Sequence, residues 1–288
     1  MPFNVFPDIF KYNLSGTYNK ERDYVLDSLI FGVLQGIFEW LPISSQGNLV
    51  LVMVGLMGMD PGNALNFAIF LHTGTLLSVI VYFREDVIRI LKSLRTYKRG
   101  YSDENNSLLT FLIISTIITG ALGFILYKSI QTVAFTGEAF LGLVGLALII
   151  TGILQKISEK GKVKFTKPNF KDSVLMGILQ GLAIVPGISR SGITVSAFLL
   201  RKYEPKEALR LSFLMSIPAV LGAEIGLALM GSLPEISISE ALTGVLTSFI
   251  VGLIAIHLLI KLTGKIKFWL FCILIGILAL VPFLGFLF

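Results

Sequence analysis

The feature that most constrains this chain is a series of apolar blocks recurring from about residue 24 to the last residue. Six have a length near the roughly 20 residues that a helix needs to cross a bilayer core: 64–83, 108–127, 139–155, 208–230, 241–260 and 268–288. Only 15% of the residues are charged, against about 25% in a soluble domain, so the solvent is lipid. The 288 residues read as one all-α polytopic membrane domain rather than two soluble ones. The single cysteine, Cys272, lies in an apolar block, so no intrachain disulfide is available.

The connecting segments give the orientation. Segments 84–107 and 156–172 carry six Lys/Arg each, and 201–207 and 261–267 carry three each. On the other side, 58–63 and 231–240 carry none and 128–138 carries one. Basic residues gather on the cytoplasmic side, which puts both termini outside. The same distribution accounts for the net charge of +6 without nucleic acid. Residues 1–23 are mixed and polar, form an extramembrane segment, and lack the basic start and apolar run of a signal peptide.

Two stretches do not fit simple spans. Residues 24–57 are too long for one crossing and too short for two, with Pro42 and Gly47 at the break; residues 173–200 have the same problem at Pro186-Gly187. Each must also return to the face it entered. Both therefore read as re-entrant helix–break–helix hairpins, which are tolerated only where protein or a wet cavity covers the irregular backbone.

The hairpins resemble each other. Gly32-Val-Leu-Gln-Gly-Ile aligns with Gly177-Ile-Leu-Gln-Gly-Leu, and at the same offset Ile43-Ser44 aligns with Ile188-Ser189 and Gly47 with Gly192. The first repeat, 24–155, contains hairpin 24–57 and three spans. A basic cytoplasmic linker, 156–172, leads to the second repeat, 173–288, with hairpin 173–200 and three spans. An odd number of crossings precedes the second hairpin, so the repeats have inverted topology and their broken helices meet near the midplane.

The polar residues at the breaks carry the chemistry. Gln35 and Glu39 are four apart and share a helix face, and an acid buried at membrane depth is functional by default. In the second hairpin Gly187 and Gly192 permit close backbone approach. Ser189, Ser191 and Thr194 supply hydroxyls, and Arg190 supplies a planar fork suited to phosphate. The helix that follows presents free N–H groups. Together these describe an anion site, and the expected anion is phosphate. His72, with Thr73 and Thr75 beside it, could reach that site; His257 reads as structural, and Glu224 has no evident partner.

At these hairpins the chain resembles the undecaprenyl-diphosphate phosphatase family, whose motifs match as Gln35…Glu39, Pro42-Ile-Ser44-Ser45-Gln-Gly47-Asn48 and Pro186-Gly-Ile-Ser189-Arg190-Ser191-Gly-Ile-Thr194. The segment Ser212–Ala223 is also similar, and the resemblance covers about residues 24–288. It implies an integral membrane enzyme that hydrolyses a polyprenyl diphosphate to the monophosphate and recycles the lipid carrier for envelope glycan synthesis, with a site opening to the outer face of the plasma membrane. It further implies a catalytic set of Glu39, Ser44, Ser45 and Arg190, and a diphosphate clamp of Ser189, Arg190 and Ser191 with Gly187, Gly192, Thr194 and Asn48. A divalent metal, Mg2+ or Ca2+, would sit at Glu39 and Gln35. The partners expected are the polyprenyl diphosphate and bilayer lipid, with pairing into a homodimer left open.

One position departs from the family. Asn48 stands where the family has histidine, and asparagine cannot act as nucleophile or general acid near neutral pH. The alternative expectation is therefore a polyprenyl-phosphate flippase or carrier on the same fold, holding the head group with Arg190 but not hydrolysing it. A channel is disfavoured, because no ring of like charges or filter-like carbonyl run is present.

Overall fold

The computed structural model of the protein describes residues 20–41, 43–55, 57–98, 103–132, 137–158, 167–185, 187–231, 234 and 236–262, with scattered positions between 269 and 280. Among them the regular elements are ten α-helices and one short 3-10 turn at Leu94–Thr96. The helices are α1 (Lys20–Phe38), α2 (Ser45–Gly55), α3 (Pro61–Tyr82), α4 (Arg84–Ser93), α5 (Glu104–Thr132), α6 (Gly137–Ser158), α7 (Phe170–Leu182), α8 (Arg190–Leu200), α9 (Pro205–Leu229) and α10 (Ile238–Leu262).

Four stretches, in α3, α5, α9 and α10, are long and apolar enough to cross a membrane, and the protein is a membrane protein. Helix α6 covers the apolar block 139–155. Most of the expected span 268–288 lies outside the described residues, as do Cys272, Pro42, Pro186, residues 1–19 and the centre of the basic linker. Segment 84–107, read as a loop, instead contains α4, whose Ile88 and Leu91 are exposed beside Arg84, Arg89 and Lys92.

The helices are apolar on the outside and small-residued on the inside, as expected where lipid replaces water and association depends on close packing. Along α10 Leu242, Leu246, Ile250 and Ile254 are exposed at a spacing of four, while Gly244, Ser248 and Gly252 are buried. The paired Gly-x-Leu-Gln-Gly motifs make contacts of this kind. A Cβ on Gly32 would lie 2.7 Å from Gly244 O, and one on Gly36 would lie 2.9 Å from Gly252 N, so α1 is pressed onto α10. A Cβ on Gly177 would lie 2.9 Å from Ser115 O, and one on Gly181 would lie 3.0 Å from Leu122 Cβ, so α7 is pressed onto α5. Each motif helix thus leans on a helix from the other half of the chain.

The two breaks end alike. Ser44 accepts a hydrogen bond on its hydroxyl from Gly47 N (3.2 Å), and Ser189 accepts one from Gly192 N (3.0 Å). Each serine caps the helix that follows, satisfying an amide that has no carbonyl partner in the first turn. This is the physical content of the repeated Ile-Ser-x-x-Gly: a cap, then a glycine three residues later. Gly47, expected at the break itself, is the third residue of α2. Helices α2 and α8 have 11 residues each, about 16 Å at 1.5 Å per residue, roughly half a bilayer core.

Below the breaks, Trp40 packs edge-on against Phe213 at 4.8 Å, and Phe213 meets Phe83 at 6.3 Å. This cluster continues through Phe111, Phe198 and Tyr203. A second cluster, around Phe31, Leu49, Met53 and Leu71, seats α2 on α3.

Candidate functional site

Glu39 follows directly on α1, its N–H still bonded to Gln35 O at 2.9 Å. Its carboxylate is only 6% exposed, and a charge so placed must be paired. Arg190, the first residue of α8, donates from Nη2 to Glu39 Oε1 and from Nη1 to Ser212 O at 3.2 Å. The guanidinium also lies over the Trp40 ring, 5.7 Å from its centroid. The two charged residues singled out at the breaks are therefore an ion pair between hairpins.

Three further donors converge on Glu39 Oε2: Ser45 Oγ at 2.7 Å, His72 Nε2 at 3.0 Å and Gln35 Nε2 at 3.1 Å. Ser191 Oγ crosses in the other direction and donates to Leu41 O at 3.0 Å. Ser189 and Ser191 hydroxyls lie 3.3 Å apart. The charged pair thus sits in a ring of hydroxyls supplied by both hairpins.

All of these side chains except Gln35 line a cavity of about 340 Å³. One end is polar, with Glu39, Ser44, Ser45, His72, Ser189, Arg190 and Ser191; the other is apolar, walled by α5 and α9. The wall includes Gly120, Gly123, Gly222 and Gly226, where an added Cβ would meet nothing within 4 Å. A polar pocket continuous with an apolar groove suits an amphiphile whose charged end enters the protein.

Five expected residues stand behind the cavity surface. Gln35 turns its amide to Glu39 and keeps Oε1 buried without a partner among the described residues. Asn48 donates its amide to Ser44 O at 2.8 Å and also to Ile43 O, bracing the break. Thr194 donates to Arg190 O at 2.7 Å and meets Ser212 Oγ at 2.7 Å. Gly187 has φ +97°, a conformation glycine adopts without steric cost. A Cβ on Gly192 would lie 2.8 Å from Thr151 Cγ2. Sequence reading missed Gln180, which lines the cavity, donates to Thr119 Oγ1 and Met215 O (3.3 Å each), and leaves Oε1 without a partner among the described residues. The signal was available: Gln180 is the repeat mate of Gln35. His257 is exposed and packs by its ring against Tyr82, 6.4 Å away.

The donor set does not fit a divalent ion held by the protein alone. Among the described residues no three His, Cys, Asp or Glu side chains gather in a metal-binding group. Both oxygens of Glu39 already accept from four donors, and the remaining oxygen of Gln35 is a single neutral ligand. Mg2+ and Ca2+ call for several oxygen ligands.

A family model described as "Bacitracin resistance protein BacA" matches residues 28–281. Among curated relatives, the undecaprenyl-diphosphatase of Methanococcoides burtonii is 44% identical over 256 residues, 88% of this chain and 96% of the relative. The protein of the same name from Haloarcula marismortui is 38% identical, covering 89% and 96%. That from Saccharolobus solfataricus is 36% identical, covering 90% and 95%.

Proposed function

This chain belongs to the bacitracin resistance protein BacA family, and from that premise we propose that it is a membrane phosphatase converting a polyprenyl diphosphate to the monophosphate and phosphate. The observation that carries this reading is the convergence of Ser45 Oγ and Arg190 Nη2 on the one carboxylate of Glu39, at the polar end of a cavity whose other end is apolar. The names of the relatives support the substrate class.

In the reaction so assigned, the terminal phosphoryl group lies among Ser189, Arg190 and Ser191, near the first turn of α8, where free amides and the helix dipole favour an anion. The Ser45 hydroxyl, whose hydrogen bond already runs to Glu39, attacks the terminal phosphorus, and its proton passes to Glu39. The bond from that phosphorus to the bridging oxygen breaks, and the polyprenyl monophosphate leaves with the electron pair. Water then attacks the phosphoserine, releasing inorganic phosphate, and Glu39 returns the proton to Ser45. Charge neutralisation by Arg190 suits phosphoryl transfer, which depends on positioning and electrostatics more than on covalent work by the protein. Glu39 and Gln35, the residues to which the resemblance assigns a divalent ion, do not by themselves make a ligand set for one.

The same proposal includes the architecture: two inverted repeats, each a re-entrant hairpin with three spans, and basic connections on the cytoplasmic face. Its support is the reciprocal packing of α1 on α10 and α7 on α5 through equivalent glycines, the half-bilayer length of α2 and α8, and the polar breaks meeting inside the protein. The lipid carrier would be recycled for envelope glycan synthesis, with the prenyl tail along the groove between α5 and α9.

The test is phosphate release by purified protein in detergent from farnesyl diphosphate with a divalent ion. Release that disappears in Glu39→Ala and Arg190→Ala supports the enzyme. Retained lipid binding without release in the unaltered protein would replace it with the flippase or carrier.

A further inference from the structure

The amide of Gln180 has one orientation that its neighbours accept. Thr119 Oγ1 donates to Gly177 O at 3.1 Å, so toward Gln180 that hydroxyl can only accept. Met215 O is a carbonyl and also only accepts. Nε2 therefore faces both, at 3.3 Å each, and Oε1 is turned away from them. Gln180 is 4% exposed, lines the cavity, and leaves Oε1 with no hydrogen-bond partner among the described residues. Thr116, one turn before Thr119 on α5, also lines the cavity, and its Oγ1 is likewise buried and unpartnered among those residues. Buried oxygens without partners at a cavity wall mark a place for a hydrogen donor. An ionised diphosphate carries only acceptors, whereas water brings two hydrogens.

The position of Gln180 follows from α9. Arg190 donates to Ser212 O and Gln180 to Met215 O, carbonyls one turn apart, with about 4.5 Å of rise between them. Beyond Met215 on α9 come Pro218, Gly222 and Gly226, which line the apolar end. Gln180 thus stands where the polar end passes into the groove. In the reaction assigned above, the monophosphate leaves in that direction, because its tail lies in the groove. In-line displacement then puts the second attack on the face that the leaving group has vacated, opposite Ser45. The first repeat offers no such acceptor to the cavity: Gln35 sends its amide to Glu39, four residues on, and stands behind the surface. Four residues on from Gln180 is Ile184, so the second repeat supplies a neutral acceptor and no base.

We propose that Gln180, with Thr116, holds the water that hydrolyses the phosphoserine, which makes Gln180 the water-positioning residue of the second step. The inference deepens the phosphatase reading and rests on it. The water gives its hydrogen bonds to Gln180 Oε1 and Thr116 Oγ1 and keeps its lone pairs for phosphorus. Its oxygen bonds to phosphorus as the bond from phosphorus to Ser45 Oγ breaks. The electron pair stays on Oγ, which takes the proton held by Glu39. Both water hydrogens remain on the product, which leaves as dihydrogen phosphate and equilibrates with solvent. Gln180 takes no proton; it fixes the direction of attack, as glutamine does for the attacking water of GTPases.

Two measurements on the full chain in detergent test this. The first is density for the unaltered chain without substrate, at a resolution that shows ordered solvent. A water about 2.7–3.2 Å from both Gln180 Oε1 and Thr116 Oγ1 is expected, and a dry site overturns the proposal. The second is the partition of the phosphoryl group between water and added methanol, read as methyl phosphate against inorganic phosphate from farnesyl diphosphate. Gln180→Met should raise the ratio of methyl phosphate to phosphate by about tenfold or more, and acid quenching should trap phosphorylated Ser45 during turnover. Thr116→Val removes a hydroxyl that has no bond to lose among the described residues, and should shift the ratio the same way by a smaller factor. Damage to packing slows both acceptors together and leaves their ratio where it was. An unchanged ratio in either variant that folds overturns the proposal. Unaltered protein that releases no monophosphate overturns the phosphatase reading instead, and the density still decides whether the water is held.

Discussion

Gly47 and Gly187 meet backbone to backbone: a Cβ placed on Gly47 would come within 2.8 Å of Gly187 N and 2.9 Å of its Cα. Neither of those atoms belongs to a side chain that could turn aside, so the hairpins would have to separate. Gly47→Ala is expected to cost about 1–3 kcal/mol, the usual range for overpacking. It should lower both the thermal midpoint in detergent and phosphate release, because the Arg190–Glu39 pair spans the same contact. An alanine variant with unchanged midpoint and rate would show that the hairpins are not held this closely.

Ser45 is buried, and its hydroxyl donates to Glu39 at 2.7 Å. Ser45→Ala removes the attacking oxygen and one of four donors, leaving Arg190, His72 and Gln35 on the carboxylate. The fold should survive, and phosphate release should fall at least about a hundredfold. Thermal melting together with a release assay separates this from misfolding; a rate within threefold of the unaltered protein would remove Ser45 from the chemistry.

The apolar end of the cavity is open because glycine recurs on both walls. At Gly123 and Gly222 an added Cβ would meet no atom of the described residues within 4 Å, so folding should tolerate Gly123→Leu and Gly222→Leu. Filling the groove displaces prenyl methylenes, each of which contributes about 0.8 kcal/mol when buried. KM for a long prenyl diphosphate should rise by about tenfold or more, with a smaller change for a short-chain diphosphate. Equal effects on both substrates would place the tail elsewhere.

Asp172 is fully buried and accepts from Arg201 Nε and Tyr203 Oη at 2.7 Å each. Its N–H caps onto Asn169, while its Oδ2 receives Asn169 N, closing a capping box at the start of α7. Asp172→Ala removes the carboxylate partner of Arg201 and one of the two acceptors of the Tyr203 hydroxyl, which keeps Lys167 O, and should cost about 3–5 kcal/mol. Tyr203→Phe removes only the hydroxyl and should cost about 1 kcal/mol. Thermal melting of both variants checks the order; equal losses would mean that the carboxylate contributes nothing beyond its bond to the tyrosine.

Sequence alone determined the solvent, the helical class and the two polar breaks, because these depend on properties each residue carries with it: hydropathy over a span length, a proline or glycine that interrupts, a serine that caps. Glu39 and Arg190 were conspicuous for the same reason, as charges in otherwise apolar hairpins. Segment 84–107 was misread because α4 is charged enough to pass for a loop when only hydropathy is counted. Tertiary structure alone decided which faces meet. It brought His72 from α3 onto Glu39, turned the amide of Asn48 into the break, set Gly47 against Gly187, and made Gln180 part of the cavity wall. Such contacts depend on the rotation and depth of helices distant in the chain, and a rotation of 100° between successive residues of a helix moves a side chain from one neighbour to another without changing any local property.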